Sequence, residues 1–269
     1  SYIIDTVSYK NLVAGQEYTM KGVLKDKATG NTLVDKEGNE VTAETTFTAS
    51  GNTSGSDYVG SVDVTFTFEA NESFRGKTVV AYEYVFKDGK QLVVKDENDD
   101  DVTIEHTDIN DEGQSIHFPK VQTMAVDNSS RTRNVLAGGI QTITDTVSYS
   151  NLVPGIEYEV KGVLMDKATG EPVKVDGREI SGSAKFTPDQ ADGTVPVTFS
   201  LDTTGMDGMT LVVYEELYVN GWKVGEHKDI NDRKQTLPIP GVITDAKDEY
   251  TKDKIARSEE RRVGKEGRS

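Results

Sequence analysis

Short stretches of this chain alternate between apolar and polar residues with a period of two. Val62-Asp63-Val64-Thr65-Phe66-Thr67-Phe68 and Val195-Pro196-Val197-Thr198-Phe199-Ser200-Leu201 show it most clearly. Such alternation sends every second side chain to one face and predicts half-buried strands. Turn signals stand between them. Lys87-Asp88-Gly89-Lys90 and Val219-Asn220-Gly221-Trp222 carry the Asp-Gly and Asn-Gly pairs of tight hairpins. Ala28-Thr29-Gly30 and Ala168-Thr169-Gly170 are turns of the same kind. No amphipathic helix is evident. Many short strands with regular turns predict an all-β chain built as an immunoglobulin-like β-sandwich.

The pattern occurs twice. DTVSYKNLVAGQEYTMKGVLKDKATG, Asp5 to Gly30, returns with six differences as DTVSYSNLVPGIEYEVKGVLMDKATG, Asp145 to Gly170. VVAYEYVFKDGK from Val79 answers LVVYEELYVNGW from Leu211, and HTDINDEGQS from His106 answers HKDINDRKQT from His227. A shorter echo, Thr123 to Asp127 and Thr244 to Asp248, begins nine residues after the Gln of the preceding block each time. The expected organisation is a first repeat over 1–120 lacking its opening strand, a complete repeat over 121–240, and the start of a third over 241–256. The tail, 257–269, does not fit the repeat; it resembles the in-frame translation of a sequencing adapter and is set aside. The copies differ by insertions at Ser50 to Gly60 and Lys95 to Val102, both between strands, where extra length is tolerated.

Composition narrows the function. A formal charge of −16 over 269 residues argues against nucleic acid as a partner, which needs clustered Lys and Arg. With no cysteine, disulfides and thiolate metal sites are excluded. No run is long and apolar enough for a membrane helix, so no membrane insertion is expected from this fragment. No nucleophile elbow, phosphate loop or metal-ligand spacing marks an enzyme that turns over an external substrate.

What remains is a duplicated polar set: Asp5 and Asp145, Glu83 and Glu215, His106 and His227, Gln114 and Gln235. Each Glu ends an apolar run, where burial would raise its pKa and favour the protonated acid. Taken together, the DTVSY-x-NL, V-x-Y-E and H-x-D-I-N-D-x-x-Q blocks resemble the Thr–Gln ester-bond domains, or VaFE repeats, of Gram-positive surface adhesins and pilus-like stalks. The resemblance covers nearly all of the chain before the tail. It implies CnaB-like sandwich domains in tandem, extracellular and attached to the cell wall, each closed by an autocatalytic ester between a Thr of the first strand and a Gln of the last. A His and two carboxyls assist, ammonia is lost, and no cofactor is needed.

That chemistry is reasonable for these residue types. A Thr hydroxyl is a weak nucleophile that needs a base such as His. An amide is a poor electrophile whose oxyanion needs a donor, such as a protonated carboxyl. Neighbouring strands supply proximity worth an effective concentration of ~10⁵ M or more. Carried over, the resemblance makes Gln235 the acyl donor, His227 the base and Glu215 one carboxyl. Thr123 is the preferred nucleophile with Asp145 as second carboxyl; the rival pairing is Thr146 with Asp166. On the first assignment the first copy keeps Asp5, Glu83, His106 and Gln114 but lacks its threonine, and Thr244 opens a unit without a Gln. On the rival one, Thr6 would bond Gln114.

Two other readings stay open. The matched residues could be passive polar positions, because duplication copies those too. Alternatively Asp108, Asn110 and Asp111, with Asp229, Asn231 and Asp232, could bind calcium and rigidify a rod, with Asp96 to Asp101 adding acidity. A ligand-binding β-sandwich is the related alternative, although Trp222, the one tryptophan, makes no aromatic platform. The expected product is a monomeric stalk segment whose parent protein binds a host or surface ligand elsewhere.

Overall fold

The computed structural model describes residues 1–50 and 60–242. Most of the Ser50–Gly60 insertion and all of the third-repeat and tail segments, Thr244 included, lie outside the described residues. Two sandwiches follow one another along the chain, each around its own core.

In the first unit the strands are β1 (Tyr2–Tyr9), β2 (Glu17–Asp26), β3 (Thr42–Thr48), β4 (Gly60–Thr67) and β5 (Thr78–Lys87). Short strands follow: β6 (Lys90–Gln91), β7 (Val93–Lys95), β8 (Asp101–Thr103), β9 (Glu105–His106) and β10 (Ser115–His117). β1 and β4 form one antiparallel sheet, and β10-β5-β2-β3 form the other, with β6 and β9 also on β5. The Lys95–Val102 insertion adds the tip of the small β7–β8 hairpin.

The second unit opens with β11 (Lys120–Asp127), then β12 (Ile140–Ser150), β13 (Tyr158–Asp166), β14 (Lys174–Val175) and β15 (Arg178–Glu179). It continues with β16 (Ser181–Phe186), β17 (Gly193–Asp202), β18 (Thr210–Val219), β19 (Trp222–His227) and β20 (Thr236–Pro238). Its sheets are β11-β12-β17 and β16-β13-β18-β19, with β20 on β18. β12 therefore sits between β11 and β17, whereas its counterpart β1 pairs only with β4 among the described residues.

The period-two pattern becomes the two cores. On β17, Val195, Val197, Phe199 and Leu201 are buried and the residues between them are exposed. They meet Leu164, Val213 and Leu217 of the facing sheet, and Val64, Phe66, Leu24 and Val79 do the same in the first unit. Each such apolar side chain contributes about 1.5–3 kcal/mol on burial, which is why the inward positions are apolar and the exceptions among them are informative. The hairpins form at the expected places: Asp88 and Gly89, like Asn220 and Gly221, have positive φ at both central positions, as the tight turns require. The two helical pieces among the described residues are 3-10 turns, Glu72–Phe74 and Glu112–Gln114.

Candidate functional site

The second sandwich buries several exceptions to the apolar rule, Asp127, Gln141 and Thr203 among them, and four others matter for the site. Thr123, Asp145, Glu215 and Gln235 are all buried in the second sandwich; Thr123 is 4% exposed and the other three 0%. Strand geometry places each. On β11 the inward positions are Val121, Thr123, Ala125 and Asp127; on β12 Asp145 points inward between Ile143 and Val147. Ala125 lies opposite Asp145, so Thr123 and Asp145 share one inner face of paired strands. The other edge of β11 meets the last segment: the Ala125 amide donates to the Lys234 carbonyl, next to Gln235. Gln235 is fixed in turn through its carbonyl, which accepts from Val213. These backbone hydrogen bonds run the strand that carries Thr123 alongside the segment that carries Gln235, just before β20.

Glu215 comes from the facing sheet, where it pairs with Gly162 on β13 and with His227 on β19. The His227 Nε2 lies 2.8 Å from Asp232 Oδ2, and its side chain is 18% exposed. Asp232 also accepts the Lys234 amide, so it ties the histidine to the turn before Gln235.

Thr123 Oγ1, both oxygens of Asp145 and Glu215, and both amide atoms of Gln235 are buried without an ordinary hydrogen bond. Buried polar atoms of this kind are rare, since each costs ~1–3 kcal/mol when unpaired. The carboxyls nonetheless act on each other at close range. Burial, then the charge of Asp145, pushes the Glu215 pKa up to about 10. Burial also raises Asp145, but to about 6, because Glu215, Thr123, the Met124 amide and His227 favour its ionised form. At neutral pH the pair is one acid and one carboxylate.

The first unit repeats part of this. Burial and Asp5 push the Glu83 pKa up to about 9, and burial raises Asp5. Glu83 pairs with His106, whose Nε2 lies 2.9 Å from Asp111. Gln114 ends its 3-10 turn with Oε1 buried and unpaired. Here the cluster is open: the His106 side chain is 50% exposed, and a cavity of about 500 Å³ is lined by Val7, Tyr9, Met20, Glu83, Leu92 and His106, among others.

The rival residues lie elsewhere. Thr146 and Thr6 occupy outward positions of β12 and β1, and the Thr6 hydroxyl donates to Asp63 on the outer face. Asp166 accepts from Ala168 and Thr169 in its turn. The Asp-rich turns use their carboxylates locally: Asp108 and Asp229 accept amides two residues on, while Asp111 and Asp232 accept amides and meet the histidines. Among the described residues no three or more His, Cys, Asp or Glu side chains gather as a metal site. Sequence reasoning missed Asp111 and Asp232 as histidine partners, and missed Gly22 and Gly162. A glycine inside a repeated strand block is a signal of close approach that could have found the latter two.

Among solved structures, the chain resembles a bacterial adhesin from Mobiluncus mulieris containing intramolecular disulfide, isopeptide and ester bond cross-links. Identity is 16%, the TM-score is 0.38, and the match covers 45% of this chain and 57% of that one. A second crystal form of that adhesin gives 17% identity and a TM-score of 0.37, over 46% of this chain and 57% of that one. A putative beta-galactosidase from Bacteroides fragilis matches at 10% identity and a TM-score of 0.33, over 92% of this chain and 34% of its own. The chain thus spans little more than half the length of the adhesin. No curated protein matches. A family model described as "T-Q ester bond containing domain" matches residues 1–118 and 119–239, and the chain belongs to that family.

Proposed function

We propose that the second unit closes itself with an ester between Thr123 and Gln235, and that the chain serves as a covalently stapled segment of a bacterial surface adhesin or stalk. The observation that carries this is a buried hydroxyl and a buried carboxamide on backbone-linked segments, with Thr123 acting on Asp145 and with one acidic and one ionised carboxyl in the same core.

In the proposed reaction Thr123 Oγ1 attacks the Gln235 side-chain carbonyl carbon. Its proton leaves through Asp145, the carboxyl in contact with it, toward His227. Protonated Glu215 donates to the oxyanion that develops on Oε1. The C–N bond then breaks, and the amide nitrogen takes up the hydroxyl proton and departs as ammonia. One ester and one ammonia result from one hydroxyl and one amide, once per unit, so this is maturation rather than turnover. Burial keeps water from the ester. The first and last strands would then carry tension through a covalent bond, which suits a stalk at the cell surface.

In the first unit the same acid, histidine and glutamine are in place, but Thr6 faces away from them. One ester is therefore expected from this chain. Tryptic mapping tests the assignment: segment 121–131 should be recovered joined to segment 235–247. Recovery of both as separate, unmodified peptides would overturn it.

A further inference from the structure

We propose that Asn151 is the recognition residue of the joint between consecutive repeats, a latch that fixes how one sandwich sits on the next. Asn151 occupies the turn after β12, in the second unit, yet among the described residues its side-chain hydrogen bonds all reach the first. Its Nδ2 donates to the Lys77 carbonyl at 2.7 Å and the Phe118 carbonyl at 3.2 Å. Its Oδ1 accepts from the Thr78 hydroxyl at 2.9 Å, and His117 Nδ1 lies 3.1 Å away. Two carbonyls on one side and a hydroxyl on the other leave the amide a single orientation. Aspartate cannot replace it, because it would face the two carbonyls with oxygen.

The turn that presents Asn151 is held from three sides. Its backbone has φ 62°, a conformation Asn and Gly tolerate. Its amide donates to Asp192 at 2.9 Å. The next residue, Leu152, is 1% exposed in the core and donates its amide to Ala191. The acceptor is equally built: the Phe118 amide bonds Lys77 and the Gly76 amide bonds Phe118, which fixes both carbonyls. Elsewhere the joint is open, with a cleft of about 560 Å³ between Arg75 and Phe118 on one side and Lys223 to Glu226 on the other.

Both halves of the latch belong to the repeat. Asn11 holds the matching turn of the first unit at φ 60°. At the far end of the second unit, Ile239 bonds Met209 and Gly208 bonds Ile239, reproducing the acceptor pair beside Thr210. The partner this surface fits is another copy of the same repeat, presenting its Asn-Leu turn. The inference does not depend on the ester.

The chain has no cysteine, so spin labels can be placed at Thr48→Cys and Ser183→Cys, one in each unit, and the distance between them measured by pulsed electron resonance. The parent should give one narrow distribution. Asn151→Gly, which keeps the backbone conformation, and Asn151→Asp should both broaden or shift it. Asn11→Gly, in the equivalent turn away from this joint, should leave it unchanged. Thermal unfolding of each variant checks that both units remain folded. A narrow, unshifted distribution in folded Asn151→Gly would overturn the latch, as would equal broadening in Asn11→Gly.

Discussion

Gly162 lies directly opposite Glu215 across β13 and β18, and a Cβ at that glycine would stand 2.5 Å from Glu215 Oε1. The same construction recurs at Gly22, where a Cβ would meet Glu83 Oε1 at 2.6 Å. In each unit the sheet gives up a side chain so that a carboxyl can lie flat against the backbone under a phenylalanine, Phe199 or Phe66. Gly162→Ala should therefore displace Glu215 or Phe199, both buried. A cost of about 1–3 kcal/mol is expected from overpacking, with ester yield lowered. Mass and melting temperature check both; an unchanged yield would show that the position of Glu215 is immaterial.

The threonines separate cleanly by face. Thr123→Ala should abolish the loss of ammonia, because it removes the buried hydroxyl. Thr146→Val and Thr6→Val, on outward positions, should leave it intact. Intact mass of the three variants decides this, and loss of the modification in Thr146→Val would reverse the assignment.

The recurrence of the DTVSY, Y-E and H-x-D-I-N-D blocks made the polar set legible in the sequence, because duplication marks positions without naming their contacts. Strand alternation likewise placed Val195, Val197 and Phe199 inward. Which threonine faces the carboxyls was harder to read: Thr123 and Thr146 both neighbour Asp145, and only strand register separates them. The roles of Gly162 and Asp232 were hidden for a related reason. One acts by lacking a side chain and the other by a contact across a turn, and neither leaves a periodic trace. Asn151 was invisible because its partners belong to another unit.

An unlinked protein should lose stability as pH rises. Glu215 has an ordinary pKa of 4.5 and is pushed up to about 10 in the fold. Between those values the folded chain keeps a proton that the unfolded chain releases, so the contribution is full below 4.5 and gone above about 10. Glu83 adds the same trend between 4.5 and about 9. The melting temperature of Thr123→Ala should fall across this window, and adding Glu215→Gln should make the fall shallower. An equal slope in both would show that Glu215 is not held protonated.

The cross-link should also be worth a large stability increment. It closes a loop from residue 123 to residue 235, a separation of 235 − 123 = 112 residues. By the chain-entropy relation for covalent links, a loop of that size contributes about 4–5 kcal/mol. Gln235→Ala should then lower the melting temperature of the second unit by roughly 15–25 °C. A calorimetric trace that keeps the parent transition would argue against a closed loop.

The most direct measurement is the intact mass of the purified chain beside that of Gln235→Ala. A parent lighter than its sequence by one ammonia, and a variant that matches its sequence, is the expected result. A parent at full sequence mass, or a deficit that persists in Gln235→Ala, would contradict a Thr123–Gln235 ester.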